Sequence, residues 1–461
     1  MADAIITTTT TVFDFGCGRG SDIRHLRDDG VSSNGWDPEH AQQEPLLSAD
    51  VVNLGYVVNV IENEGERGEA LIGAWRLTRR VLVVAARMKF ETLGQVLAPY
   101  ADGYLTTRGT FQKFYDHAEL RDWITEVLAV APVAAAPGIF YVFRNTTERE
   151  SFLANRQRRV APVLHARRPE VLVERHRELF DAVVPFFATR GRLPSVIEVP
   201  PAAGLYRVVP GVETLLAALR TAVGEAAFDA VVSARRQDLL VYLALARFDG
   251  RPPLRRLSSD VQLDVRSFFP TYEAACQAAD DVLLAVGQRP ALEKAFAATE
   301  VGKLTGNALY VHVSAITSLP LLLRVYEGCA KEYVSAVDGA TLVKLHRAEV
   351  KVSYLSYPDF DRVAHPALTG ALVVHLKKRQ VKYLDYTTAP DPSILHRKEL
   401  FVGQDYPKRR LFERLTRQEE RLGLLDEPAT IGAWSRWQAR LETLQVRIIG
   451  HRVNRGTSGA S

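Results

Sequence analysis

The sequence predicts an α/β fold at the N-terminus, built on an abbreviated parallel sheet, followed by a helical region and then an α+β region. Three observations predict it. The stretch Val12-Phe-Asp-Phe-Gly-Cys-Gly-Arg-Gly-Ser-Asp22 reads as a buried strand, a glycine loop and the start of a helix. Short apolar runs then alternate with helical periods as far as residue 144, the pattern of βαβ units. Beyond Tyr333, after a long helical stretch, the period changes to that of strands separated by turn residues.

In chain order, residues 1–11 are a threonine-rich, loose lead-in. Val12, Phe13 and Phe15 supply the first strand. Gly16, Gly18 and Gly20 follow at every second position, and without side chains they let backbone N–H groups approach a ligand. Ser21 is placed as the N-cap of a helix over 22–29. Asn34-Gly-Trp-Asp37 is a second short strand that ends in a carboxylate. Residues 49–54 form another strand. A helix follows over 63–78, with Asn63 and Glu66 at capping-box spacing. Residues 80–86 are a buried parallel-type strand, 117–128 an amphipathic helix, and 138–144 a strand paired with 130–136. Only 12 residues separate Asp37 from Ala49, too few for a crossover helix and a further strand. The sheet is therefore expected to be a shortened, Rossmann-like one.

Further on, helices are expected over 171–189, 212–222, 237–248 and 260–287, and strands over 341–345, 350–357, 371–376 and 381–386. A helix over 432–443 and a strand over 445–449 close the fold. The expected organisation is a cofactor domain over 1–147, a helical connector over 148–168, a mainly helical region over 169–335, an α+β region over 336–455 and a disordered tail over 456–461.

Composition narrows the class. At 461 residues, 47% hydrophobic and 24% charged, the chain is globular and long enough for two or three domains. No run approaches 18 uninterrupted apolar residues, and no basic, then apolar, leader opens the chain. Cys17, Cys276 and Cys329 are too few and too scattered for a disulfide framework or a zinc cluster. A cytoplasmic protein is expected. Residues 1–150 carry 14 Lys and Arg against 21 Asp and Glu, and the remainder 44 against 33. A basic second part points to a polyanion partner; an ordinary arginine-rich surface is the bland alternative.

The glycine spacing is G-x-G-x-G, unlike the dinucleotide fingerprint G-x-G-x-x-G. With Asp14 two residues before it and Asp37 ending the next strand, it reads as a loop for S-adenosylmethionine (SAM). Asp14, Gly16, Cys17, Gly18, Gly20, Asp37 and Asn53 are the candidate cofactor residues, Asp37 for the ribose hydroxyls. A structural glycine turn is the alternative.

Asn53-Leu-Gly-Tyr56 follows at a strand end. Methyltransferases that act on base amino groups carry Asn/Asp-Pro-Pro-Tyr/Phe at this place. The amine lone pair is delocalised into the ring, so an oxygen must accept its N–H while an aromatic stacks on the flipped base. Asn53 and Tyr56 are the candidate catalytic residues, although both prolines are absent. Alternatively the strand end closes over SAM for a small acceptor, with Asn59 as its polar residue, or the loop is structural. Cytosine C5 chemistry is disfavoured, because the domain's one cysteine, Cys17, lies inside the glycine loop.

Residues 105–115 sit between a strand and a helix. Arg108 and Lys113 suit phosphate, Thr110 and Gln112 suit hydrogen bonding, and Phe111, Phe114 and Tyr115 suit stacking; a solvated loop is the alternative. His396, Arg397 and Lys398, with the nearby run Tyr406-Pro-Lys-Arg-Arg410 and the cluster Arg251, Arg255 and Arg256, are candidate nucleic-acid contacts. Asp359, Asp361, His365 and His396 do not have a metal-ligand spacing, and no metal is expected.

Several strings also resemble a known family. These are residues 12–22, Gly35-Trp-Asp-Pro38, Asp50-Val-Val-Asn-Leu-Gly-Tyr-Val-Val-Asn-Val-Ile-Glu62, Arg108-Gly-Thr-Phe-Gln-Lys113, Asp338-Gly-Ala-Thr-Leu-Val-Lys-Leu-His346, Tyr354-Leu-Ser-Tyr-Pro-Asp-Phe-Asp361 and Leu395-His-Arg-Lys-Glu399. The chain resembles, over nearly its whole length, the bacterial DNA phosphorothioation-associated methyltransferases. The resemblance implies a class I SAM-dependent domain followed by a family-specific C-terminal region. It also implies a link to DNA sulfur-modification and phage-restriction systems, whose proteins are expected partners. DNA is the expected acceptor; RNA, a small molecule, or the role of a SAM-binding accessory subunit are the alternatives.

Overall fold

The computed structural model describes residues 5–92, 97–107, 109–159, 171–209, 211–334, 337, 339–427 and 431–455. Its first sheet starts from β1 (Thr11–Phe15), which leads through the glycine loop into α1 (Ser21–Asp28) and β2 (Ser32–Trp36). Then come β3 (Ala49–Gly55), α2 (Glu64–Leu77) and β4 (Thr78–Ala85). A small sheet of β5 (Leu97–Tyr100), β6 (Gly103–Thr106) and β7 (Phe111–Gln112) precedes α3 (His117–Leu128), β8 (Val133–Ala136) and β9 (Ile139–Phe143). The order across the main sheet is β2-β1-β3-β4-β9-β8. The first four strands run parallel, and β9 is antiparallel to both its neighbours. A loop alone joins β2 to β3, as the 12-residue spacing requires.

Strand alternation sorts the side chains of this sheet. Phe13, Val52, Leu54, Leu82, Val84, Phe140 and Val142 face a dry core with Leu71 and Ala74 of α2 and Leu120 and Ile124 of α3. Their neighbours Val12, Asp14, Val51, Asn53, Val83, Ile139 and Tyr141 point the other way and line a cleft. Asn63 caps α2 by accepting the N–H groups of Gly65 and Glu66. The start of α1 differs from expectation. Gly20, at φ 70°, is the N-cap and Ser21 is the first helical residue. A left-handed glycine turns the chain into the helix, so the serine hydroxyl is not needed there and lies 3.3 Å from Asp22 Oδ1.

The chain groups into two compact units, Thr146–Gln288 and the remainder. The inserted unit is all-helical: α4 (Thr146–Arg156), α5 (Val171–Arg175), α6 (Arg177–Arg190), α7 (Ala202–Val208), α8 (Val212–Val223), α9 (Glu225–Leu245), α10 (Ser259–Phe268) and α11 (Tyr272–Ala285). Phe180, Phe187, Leu205, Leu215, Leu219 and Phe228 fill its core. The helix expected over 237–248 is the end of α9, which begins directly after Gly224. The one expected over 260–287 is divided at Pro270, which cannot donate a helical N–H. Arg192 is buried in this unit against Asp264 and Glu198.

The first unit resumes with α12 (Arg289–Ala297), β10 (Lys303–Leu304), β11 (Ala308–His312), α13 (Leu321–Val334), β12 (Leu342–His346), β13 (Lys351–Ser356), β14 (Gly370–His375) and β15 (Gln380–Asp385). These six strands form an antiparallel meander in chain order. α14 (Arg409–Arg421), α15 (Trp434–Thr443) and the hairpin of β16 (Val446–Ile449) and β17 (Arg452–Arg455) follow. α13 packs on β13 and β14 and also on β8 and α3, which ties the two sheets into one unit. The sequence marks a boundary near 335, where the period changes. In space the division falls after Gln288, because α13 packs on β13 and β14 and α12 packs on α13. Among the described residues, no single helix is long and apolar enough to cross a membrane.

Candidate functional site

The glycine loop is held by its own backbone. The N–H groups of Gly16 and Cys17 both donate to the Trp36 carbonyl, at 2.8 and 3.1 Å, and that of Gly20 donates to Cys17 O. Gly16 has φ 88°, and a Cβ there would stand 2.4 Å from Val57 Cγ2. For Gly18, at φ 51°, no heavy atom of the described residues beyond its chain neighbours lies within 4 Å of where a Cβ would stand. Gly16 is thus glycine for packing, whereas Gly18 leaves room for something outside the protein. Cys17 Sγ points at Gly18 O, 3.7 Å away. Burial, then the charges of Asp14 and Asp37, push its thiol pKa up, so it stays protonated.

Asp37 clamps this loop. Its Oδ2 accepts the Gly18 N–H at 3.0 Å, and its Oδ1 accepts those of Glu39 and His40 at 2.9 Å each. Partial burial opposes ionisation, but the N–H groups of His40, Glu39 and Gly18 outweigh it and hold the carboxyl below its ordinary value. Among the described residues Oδ2 has a single donor, which leaves it capacity for a hydroxyl.

Asp14 is 6% exposed and accepts Asn53 Nδ2 at 2.8 Å. The register of β1 against β3 sets this pair directly opposite one another. Burial raises the Asp14 pKa, the Asn53 bond lowers it, and Asp22 and Asp37 raise it. A carboxylate can only accept, so the Asn53 amide nitrogen must face it. The amide oxygen then has no partner among the described residues. Asp14 and Asn53 line a cleft of about 410 Å³ together with Asp22 and His25 of α1. Asp22, His25 and Leu26 share one helix face at i, i+3 and i+4. That spacing was the available signal for Asp22 and His25, which the sequence reading did not single out. With Asp14, Asp22 and Asp37 near the loop, the donor set is acidic and suits a ligand that carries positive charge.

Tyr56, just beyond β3, has φ 58° and is 54% exposed. Left-handed backbone at an aromatic residue is strained, and such strain collects at functional positions. The Arg87 guanidinium lies 6.0 Å from its ring centroid. Asn59 is fully buried: its amide donates to Lys113 O at 2.6 Å and accepts the Arg87 N–H at 3.0 Å. It staples three loops together and is not open to an acceptor.

Several expected contacts are placed elsewhere. Lys113 Nζ lies 2.8 Å from Asp102 and 3.1 Å from Glu119, and its side chain is 12% exposed, so its charge is committed within the protein. Gln112 is partly buried, its Oε1 enclosed without a partner among the described residues. The Thr110 hydroxyl pairs with that of Thr106 at 2.7 Å. Arg108 lies outside the described residues. Phe111, Phe114 and Tyr115 are buried and do not present stacking faces. In the C-terminal part, Lys398 is enclosed: its Nζ bonds the carbonyls of Phe360 and Val363 and His451 Nε2, and desolvation pushes its pKa down to about 7. His396 packs between His365 and Trp437 and bonds Ile431 O. Arg397 pairs with Glu420. Where phosphate contact was expected, Lys398 and His396 turn inward to loop carbonyls, and Arg397 pairs at the surface with a carboxylate. Asp361 bonds the Tyr406 hydroxyl, and His365 bonds the buried Glu419.

No family model matches the chain. No curated protein matches it either. Among solved structures, the sugar N-methyltransferase KedS8 from a Streptoalloteichus species overlaps 29% of this chain and 79% of its own length, at 15% identity and a TM-score of 0.24. An O-methyltransferase family protein from Burkholderia thailandensis overlaps 31% of this chain and 53% of its own, at 16% identity and a TM-score of 0.22. The 1,6-didemethyltoxoflavin-N1-methyltransferase of the same organism, solved with bound 1,6-didemethyltoxoflavin and S-adenosylhomocysteine, overlaps 29% of this chain and 68% of its own, at 17% identity and a TM-score of 0.20. Overlaps of this size carry no argument about acceptor or mechanism.

Proposed function

We propose that the first sheet binds SAM and transfers its methyl group to an acceptor at the carboxyl edge. The observation that carries this reading is the convergence of the open Gly18 turn, the anchored Asp37 carboxylate and the acidic Asp14–Asn53 cleft on the ends of three adjacent parallel strands. SAM supplies an electrophilic methyl on a sulfonium. Asp14 and Asp22 would hold the cationic methionine end, and Asp37 Oδ2 would accept a ribose hydroxyl. The chain's part is to hold donor and acceptor in line, which asks for geometry more than for a strong base.

For the acceptor we propose a base amino group. Support comes from Asn53, whose amide oxygen is left unpartnered once Asp14 has fixed the nitrogen, and from Tyr56, which is exposed for stacking. DNA as the polymer, and partners from a DNA-modification system, follow from the sequence resemblance and the basic second part. The test is calorimetric titration with SAM, followed by transfer of labelled methyl from SAM to DNA, RNA and small amines. An Asn53→Ala protein that binds SAM and methylates at the wild-type rate removes Asn53 from the chemistry. A second reading is a SAM-binding accessory subunit, favoured by the missing strand between β2 and β3. SAM binding without turnover on any acceptor selects it.

A further inference from the structure

We propose that α14 carries a binding surface for the phosphate backbone of double-stranded nucleic acid, formed by Arg410, Arg414, Arg417 and Arg421. Their spacing of i, i+4, i+7 and i+11 puts them on one helix face. At about 1.5 Å rise per residue the stripe is roughly 16 Å long. All four are exposed, and none has an ion pair or hydrogen bond among the described residues. They line a groove of about 340 Å³ with Glu413 and Gln418. The nearby carboxylates are committed elsewhere: Glu413 to Arg409 at 3.0 Å, Glu420 to Arg397 at 2.6 Å and the buried Glu419 to His365 at 2.7 Å.

This arrangement works against the helix. Like charges at i, i+3 and i+4 repel. The first turn carries no acidic residue, and Arg409 and Arg410 stand at the positive end of the helix dipole. Four uncompensated guanidinium groups on a firmly seated helix amount to a preformed anion surface. Phe412, Leu415 and Thr416 anchor the opposite face in the protein, so α14 cannot turn an apolar face toward lipid.

Guanidinium forks match phosphate in a bidentate way. Four of them over roughly 16 Å suit a repeating anion better than a single phosphate. No aromatic residue lies among them, which favours a duplex backbone over stacked single strands. The proposal stands apart from methyl transfer, since its test contains no SAM.

The test is fluorescence anisotropy of the full chain with a labelled 20-bp mixed-sequence duplex, across 50–200 mM salt. Four phosphate contacts predict a log–log slope of about −3.6, a loss of roughly 150-fold over that range. The quadruple variant Arg410→Gln, Arg414→Gln, Arg417→Gln, Arg421→Gln is expected to weaken binding at least ten-fold at 50 mM salt and lose most of the slope. If it does not fold, Arg414→Gln with Arg417→Gln is expected to halve the slope. Lys377→Gln, Lys378→Gln, Arg379→Gln, an equally exposed basic run in the β14–β15 turn, is expected to leave both unchanged. No duplex binding by the wild type, equal binding by the stripe variant, or stripe-dependent binding to phosphatidylglycerol vesicles without duplex binding each overturns the proposal.

Discussion

Replacing Asp37 by alanine is expected to loosen the glycine loop before it affects any ligand. The carboxylate accepts three backbone N–H groups, from Gly18, Glu39 and His40. A hydrogen bond to a charged group contributes roughly 1.5–3 kcal/mol when both ends are dry. The Asp37 side chain is 14% exposed, and the freed N–H groups of Glu39 and His40 can turn to water. About 1 kcal/mol for each bond is the appropriate scale, so Asp37→Ala is expected to cost about 3 kcal/mol. Asp37→Asn keeps one oxygen but turns an N–H donor toward another, and is expected to cost about half as much. Its folded-state pKa is lowered, so the carboxylate's contribution is present above the unfolded value near 3.8 and is lost as pH falls through the folded value. The difference between wild type and Asp37→Ala should therefore shrink below pH 3.8. Urea unfolding followed by circular dichroism at pH 7 and in acid measures both. An Asp37→Ala protein as stable as wild type at pH 7 refutes the clamp. Loss of SAM binding in this variant alone reports on loop and ribose contact together; the Asn variant separates them.

Gly16→Ala forces a side chain into left-handed backbone and against Val57, and is expected to destabilise by about 3 kcal/mol; adding Val57→Ala should restore the steric part, read as coupling in a double-mutant cycle. Tyr56→Gly relieves backbone strain at a half-exposed position and is expected to stabilise by about 1 kcal/mol while lowering methyl transfer. An unchanged melting midpoint would show that Tyr56 is not strained. In the helical unit the Glu198 carboxyl, partly buried but bonded to Arg192 and to the Ser195 N–H, is held down to about 2. Its contribution is complete above 4.5 and is lost as pH falls toward 2. After discounting for solvent screening it is about 1–2 kcal/mol, and Glu198→Gln should flatten the acid limb of the stability profile by that amount.

The strands and helices of the first sheet were legible because each has a clear period and a local signal. Asn63 caps α2, and the 12-residue gap ruled out another strand. The Asp14–Asn53 contact was not legible, since it depends on the register of two strands 39 residues apart. The basic triplet 396–398 misleads for the opposite reason. Composition marks it as a solvated charge run, yet Lys398 is buried by carbonyls that arrive from Phe360 and Val363. α14 escapes a hydropathy reading because its buried stripe is narrow and includes Thr416 and Glu419 among its apolar residues. β11 is a short strand that gains its order from pairing with β12, a contact no local window contains.

The seat of α13 on β8 and α3 sets the timing of assembly on the ribosome. About 185 residues separate the end of β8 from the start of α13, and the whole helical unit is made in between. At roughly 5–20 residues per second, the flank of β8 that α13 will cover waits about 10–40 s for its partner. The nascent chain therefore carries a finished-looking sheet with one uncovered edge while those residues are made. That interval is when a chaperone, or a second nascent chain, has its opportunity to bind there.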